Sequence, residues 1–278
     1  MERKDIFIEA EELLSKLGDP NLRIYDAKIE FYLGMSPEEA AKMPGARKQY
    51  QAGHIPGAAF FDHQVFSDPL SEYEYMMTTD TMLTRGIGKM GISNDSEVVV
   101  YAPHLIPNAT RAWWILRYAG VQNVRIMDGG LAAWQAAGGE LETGENKYEP
   151  AEFTPTFNKA MWASMQDVQA AGEKLEVEVQ DALPQDWHDQ EHIPGSTCVP
   201  LLNFEAGLES FPSQDELDAQ LPEAKPGKQI ITYCGGGIAA TVNAVAYLVS
   251  GHDNVAVYDG SLFEWKGEGQ PLGSNAGE

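Results

Sequence analysis

Cysteine is scarce in this chain: Cys198 and Cys234 are the only two in 278 residues. Two thiols in a chain this long make no disulfide framework, so neither core depends on oxidation. Metal-ligand spacing is missing as well. His188 and His192 lie four apart, but a Pro-Gly turn follows and no cysteine stands beside them. Neither a metal nor another cofactor is therefore expected. Basic residues are few, 19 Lys and Arg against 42 Asp and Glu, for a net charge of −23. That balance excludes a nucleic-acid backbone as partner, because counterion release needs a basic face. It reads first as a solubility device and second as a docking surface for a basic protein. Arginine disappears altogether after Arg125. No apolar run reaches the ~18 residues of a membrane span. Met1-Glu2-Arg3-Lys4-Asp5 also lacks the apolar core of a signal peptide, so a cytoplasmic protein without membrane contact is expected.

What is present is ordinary core material, 43% apolar and 10% aromatic, in a length that favours two domains. An internal repeat divides it. Gly53-His54-Ile55-Pro56-Gly57-Ala58 returns as His192-Ile193-Pro194-Gly195-Ser196, and Val98-Val99-Val100-Tyr101 returns as Ile230-Ile231-Thr232-Tyr233. Val124–Gly130 leading to Trp134 returns as Val255–Gly260 leading to Trp265. From His54 to Tyr101 is 47 residues and from His192 to Tyr233 is 41; from each Tyr to its Asp, Asp128 or Asp259, is 27 and 26. Three ordered landmarks at matched spacing mark a duplication.

Each copy alternates strands and helices. Arg23–Asp26 and Glu176–Gln180 read as strands. Asn108–Ala119, stopped by Gly120, and Ala239–Ser250, stopped by Gly251, read as helices, since glycine past a helix end takes the left-handed conformation cheaply. Val242, Val245, Ala246 and Val249 recur at helical spacing and are expected to face a sheet. Val255–Tyr258 is apolar throughout, the pattern of a buried parallel strand. The fold class is α/β: two domains, each a mainly parallel sheet with helices on both faces. Gly138–Pro155, rich in Gly, Glu, Thr and Pro, reads as the connection. The expected division is an N-terminal domain 1–140, a linker 141–159 and a C-terminal domain 160–278.

Chemistry concentrates in Tyr233-Cys234-Gly235-Gly236-Gly237-Ile238-Ala239-Ala240-Thr241. A cysteine follows a buried strand, three glycines follow it, and a helix begins. Glycines let successive N–H groups turn inward as an anion-binding nest, and the helix N-terminus adds its partial positive charge. That setting favours a thiolate at Cys234 and would equally hold an anionic persulfide, the needs of a covalent sulfur carrier. A buried structural cysteine in a glycine turn is the alternative for an isolated Cys, which the strand–Cys–glycine loop–helix context outweighs here. Thr197-Cys198-Val199-Pro200 has no such surroundings and reads as a core strand.

The ordered set of His-Ile-Pro-Gly, an apolar strand ending in Cys, and Asp-Gly followed by Trp resembles the tandem-domain rhodanese and 3-mercaptopyruvate sulfurtransferase family, from about Asp26 to Trp265. Gly91-Ile92-Ser93, Arg111-Ala112-Trp113-Trp114 and Phe60-Phe61-Asp62 are similar to that family too. The resemblance implies a silent N-terminal copy, where Ala102 stands at the cysteine position, and a catalytic C-terminal copy. It implies sulfur transfer from thiosulfate or a 3-mercaptopyruvate-like donor, through a Cys234 persulfide, to cyanide or a thiol. The backbone amides of Gly235, Gly236, Gly237, Ile238, Ala239 and Ala240 would cradle the sulfur.

Departures from the family bear on the substrate. Gly235 stands where thiosulfate users carry a cation, and Gly236 where mercaptopyruvate users carry serine. Leu183 and Trp187 stand at the places of two substrate arginines, and Tyr75 at that of a cleft histidine. Candidate cleft residues are thus Asp62, Tyr75, Trp187 and His188, the last as a cation near neutral pH. His54 and His192 read as structural hydrogen-bonders, and Asp128 and Asp259 as turn residues. A binding or sensor module that has lost its substrate arginines is the alternative function. A cysteine phosphatase is disfavoured, because Ala240 and Thr241 stand where it needs an arginine. Small-molecule donor and acceptor are the expected partners, and a monomer the expected state.

Overall fold

The computed structural model describes residues 1–29, 38, 42–172, 174–201, 208–223, 225 and 227–275. Ten strands form two five-stranded sheets among these residues. In the first, β1 (Phe7–Ile8), β2 (Leu22–Asp26), β3 (Ala59–Phe60), β4 (Glu97–Tyr101) and β5 (Val124–Met127) lie in the order β1-β5-β4-β2-β3. In the second, β6 (Trp162–Ala163), β7 (Val177–Asp181), β8 (Thr197–Cys198), β9 (Gln229–Tyr233) and β10 (Val255–Tyr258) repeat it as β6-β10-β9-β7-β8. Every pairing is parallel, so crossover helices cover both faces and the central strands are apolar without alternation. All four residues of β10 are buried.

The first copy holds α1 (Arg3–Ile6), α2 (Ala10–Lys16), α3 (Ala46–Ala52), α4 (Asp80–Lys89), α5 (Ile106–Ala119) and α6 (Gly130–Ala136). The second holds α7 (Met165–Ala171), α8 (Gln185–Gln190), α9 (Gln214–Gln220), α10 (Ala240–Val249) and α11 (Ser261–Gly267). The duplication reaches individual hydrogen bonds. Asp26 pairs in register with Tyr101 and Asp181 with Tyr233. The Ile55 N–H donates to the Tyr101 hydroxyl and the Ile193 N–H to the Tyr233 hydroxyl, both at 3.1 Å. His54 Nδ1 meets the Tyr50 carbonyl and His192 Nδ1 the His188 carbonyl, both at 2.8 Å. The two histidines are structural, as their turns imply.

The two domains meet along α5 and α10. Thr110 and Thr241, at matching places on these helices, share a buried hydroxyl–hydroxyl bond of 2.7 Å. This contact changes one expectation. Every residue of α10 from Ala240 to Leu248 is buried, beyond the expected stripe of Val242, Val245, Ala246 and Val249, of which Val249 is half-buried. Its other face is covered by the neighbouring domain, which a single helix pattern does not report. α5 starts at Ile106, two residues before its expected start, because Pro107 fits the first helical turn, where no N–H is needed. The connecting stretch is strapped to the first copy. Glu142 exchanges backbone bonds with His54, and the Tyr148 hydroxyl accepts from the Ile24 N–H and donates to the Gly57 carbonyl. Trp113 and Trp114 anchor the first core fully buried, their indole N–H groups bonded to the Val124 and Met161 carbonyls. Replacing either with Ala costs about 3–5 kcal/mol by the usual cavity rule.

Candidate active site

Cys234 sits one residue past β9, at the carboxyl edge of the second sheet, and is 3% exposed. Between it and α10 the chain makes a bend rather than a helix. Gly237 has φ +74, and a Cβ there would stand 2.3 Å from the Asp259 carbonyl oxygen. Only glycine fits both demands. Among the described residues, nothing accepts from the N–H groups of Gly235, Gly236, Gly237 or Ile238. Four backbone donors thus stand unspent beside the thiol, at the N-terminus of a ten-residue helix.

Four hydrogen bonds, from α11 and from the other domain, hold this loop. The Cys234 N–H donates to Ser261 Oγ at 3.0 Å, and that hydroxyl donates to the Tyr258 carbonyl at 2.8 Å. Ser261 has φ +50, a left-handed conformation that costs a non-glycine residue about 1–2 kcal/mol. The Leu262 and Phe263 N–H groups donate to the Cys234 and Gly235 carbonyls at 3.0 and 2.9 Å. From the other domain, Arg111 on α5 donates through Nη1 to the Gly237 carbonyl at 3.0 Å and to Asp259 Oδ1 at 2.5 Å, and through Nη2 to the Tyr75 carbonyl at 2.6 Å. Its guanidinium also lies 5.0 Å from the centroid of the Trp162 ring. Arg111 is 2% exposed, so its charge is matched by a carboxylate and two carbonyls instead of water.

A cavity of about 500 Å³ opens in front of Cys234 at the domain junction. The first domain contributes Glu74, Tyr75, Leu105 and Asn108; the second adds Leu183, Trp187, Leu208 and Phe263 around the loop. Of the residues singled out in the sequence, Cys234, Gly235, Gly236, Ile238, Ala239, Tyr75 and Trp187 line it. Gly237 and Ala240 are buried behind.

Asp62 and His188 do not line it. Asp62 caps the short turn His63–Phe66 through the Gln64 N–H at 3.1 Å and pairs with Arg47 at 3.2 Å. His188 is 4% exposed, bonded through Nδ1 to Asp181 Oδ2 at 2.9 Å and stacked on His192. It fills the place of Tyr50 in the first copy, which the repeat itself encodes: each lies four residues before the Pro-Gly histidine. Cys198 is half-buried, its thiol donating to the Leu183 carbonyl at 3.3 Å, and burial pushes that thiol up to about 12.

Sequence reasoning named Arg111 only within a family-like stretch and gave it no role, passed over Ser261 and Phe263, and read Asp259 only as a turn residue. Asp259 also accepts the Met77 N–H at 2.5 Å from the other domain, as Asp128 accepts the Phe211 N–H at 2.7 Å. Among the described residues, no helix is long and apolar enough to cross a membrane.

The rhodanese-like domain family matches residues 9–137 and, a second time, 164–268. The 3-mercaptopyruvate sulfurtransferase of Escherichia coli K12 is 32% identical over 272 residues, covering 93% of this chain and 94% of that protein. The thiosulfate sulfurtransferase of Rattus norvegicus is also 32% identical over 272 residues, covering 92% and 89%. The crystal structure of Escherichia coli SseA, described as a 3-mercaptopyruvate sulfotransferase, superposes with a TM-score of 0.79 at 32% identity, over 92% of this chain and 98% of that one. With its two rhodanese-like domains, the chain belongs to the family of tandem-domain sulfurtransferases.

Proposed function

We propose that the chain moves a sulfane sulfur from a small donor to a thiophilic acceptor, cyanide or a thiol, through a persulfide on Cys234, and that the N-terminal copy, with Ala102 at the matching place, is silent. In this reading the domains are 1–140 and 160–278, joined by 141–159. One observation carries the reading: a buried cysteine faces a cavity beside four backbone N–H groups with no acceptor among the described residues. Those donors, with the helix dipole, would stabilise first the thiolate and then the persulfide anion. With thiosulfate, the Cys234 thiolate attacks the outer sulfur, the donor S–S bond breaks and sulfite leaves with the electron pair. With 3-mercaptopyruvate, the C–S bond breaks and the enolate of pyruvate leaves, to be protonated by water. Cyanide or a thiolate then attacks the outer persulfide sulfur, and the Cys234 thiolate is regenerated. Relatives named for either donor match at the same 32% identity, so likeness does not choose between them. Thiocyanate formation from either donor and cyanide tests the reading. It is expected to vanish in Cys234→Ser and persist in Cys198→Ser; activity surviving in Cys234→Ser would overturn it.

A further inference from the structure

The cavity walls suit a different donor body from the small anions named above. Lys266 is the only cation among the described residues that line it, and its Nζ is held by Glu191 Oε1 at 2.5 Å. Glu74 and Glu191 add negative charge to the same rim. A dianion entering here would lose water without meeting an unpaired cation, and the net charge of −23 opposes its approach.

Phe263 narrows the space in which a side chain could project from the loop. Its ring covers the two glycines after Cys234: a Cβ at Gly235 would stand 3.3 Å from Cζ, and one at Gly236 3.0 Å from Cδ2. The same ring is 58% exposed, and Trp187 on another wall is 42% exposed. Leu183, Leu208 and Ile238 complete an apolar surround. At about 500 Å³ the space exceeds the ~150 Å³ that encloses a benzene ring.

We infer that the preferred donor is a sulfane-sulfur compound with an apolar body of about one aromatic ring and at most one negative charge, the body seated against Phe263 and Trp187. The inference rests on Cys234 being the sulfur carrier. With an aromatic thiosulfonate the step balances without oxidant or reductant. The Cys234 thiolate attacks the terminal sulfur, the donor S–S bond breaks, and the arenesulfinate departs with the electron pair, leaving the persulfide anion on the protein.

The test compares kcat/KM for 4-toluenethiosulfonate and thiosulfate on the full chain, with cyanide as acceptor and ionic strength fixed. The ratio is expected to favour the aromatic donor by about tenfold or more. Phe263→Ala and Trp187→Ala are each expected to lower that ratio by about tenfold. Gly235→Lys combined with Phe263→Ala, which clears room for the new side chain, should turn it further toward thiosulfate. A ratio at or below one, or a ratio unmoved in variants that melt like the parent, overturns the inference while leaving Cys234 as the carrier. Absence of loading on Cys234 by either donor, read by mass, overturns the carrier reading and the inference together.

Discussion

The two halves share a scaffold down to single hydrogen bonds, yet their cysteine-position loops are built differently. In the first copy the helix begins five residues after Tyr101; in the second it begins seven after Tyr233, because residues that match the first helical turn form the bend after Cys234 instead. Ala102 stands for Cys234, Gly130 for Ser261, Tyr50 for His188 and, on the paired helices, Arg111 for Val242. Gly130 is as crowded as it is left-handed: φ is +56, and a Cβ would stand 2.4 Å from the Pro103 carbonyl oxygen. In the second copy a side chain stands at that position, and the Ser261 hydroxyl takes the Cys234 N–H. The first copy has thus kept the sheet while its helix supplies Arg111, a clamp for its neighbour's loop. Duplication provides two similar sockets, and in the proposed reading a few residues decide which one would hold reactive sulfur and which one braces it.

The sharpest way to break this comparison is to exchange the key residue. Cys234→Ser should remove all transfer, and Ala102→Cys in that background should restore none, because the short first loop lacks the row of free amides. Thiocyanate production checks both, and rescue by Ala102→Cys would erase the distinction between the halves. Next in size is the brace. Arg111→Ala removes the buried guanidinium and leaves the half-buried Asp259 with the Met77 N–H but no countercharge, a change worth at most about 3–5 kcal/mol. Urea unfolding should show that loss, with Arg111→Lys recovering only part because an ammonium lacks the planar fork. Rates of Cys234 loading should fall in both variants.

A smaller effect is expected at Ser261. Ser261→Ala keeps the left-handed backbone and loses the acceptor for the Cys234 N–H, for about 1–3 kcal/mol. Ser261→Gly loses the same acceptor but relieves the backbone, so it should unfold later than Ser261→Ala. The smallest change concerns the paired aspartates. Burial pushes the Asp26 carboxyl up to about 7 from 3.8, and Asp181 is also raised by burial, with His188 opposing the rise. A raised carboxyl favours the protonated fold. The contribution of Asp26 is therefore full below about pH 4 and lost as pH rises through about 7. Asp26→Asn, which imitates the protonated acid, should be the more stable protein at pH 8 and lose that advantage near pH 4. Melting temperatures of both proteins across that range check the sign.

Much of this was legible from the residues. The duplication follows from the spacing of His, Tyr and Asp landmarks, the parallel sheets from apolar runs such as Val255–Tyr258, and the loop from three glycines between a buried strand and a helix. Contacts between the copies were not. Arg111 and Asp259 are 148 residues apart, and no periodicity or local propensity links them. α10 carries one stripe that anticipates the sheet, but its second buried face depends on a partner helix that only the folded pair brings near. His188 was open to a better reading, since aligning the repeat puts it on Tyr50, a core position. Asp62 is drawn away by Arg47, a long-reach ion pair that neighbouring sequence does not announce.

The most direct test of the central claim is the mass of the protein after loading. The reduced chain is incubated with an excess of donor, freed of small molecules, digested and weighed peptide by peptide. A gain of one sulfur atom on the peptide bearing Cys234, with none on that bearing Cys198, is the predicted result, since the thiol of Cys198 is held protonated by burial. Sulfur on Cys198 instead, or on neither cysteine of the folded protein with every donor class, would contradict the account.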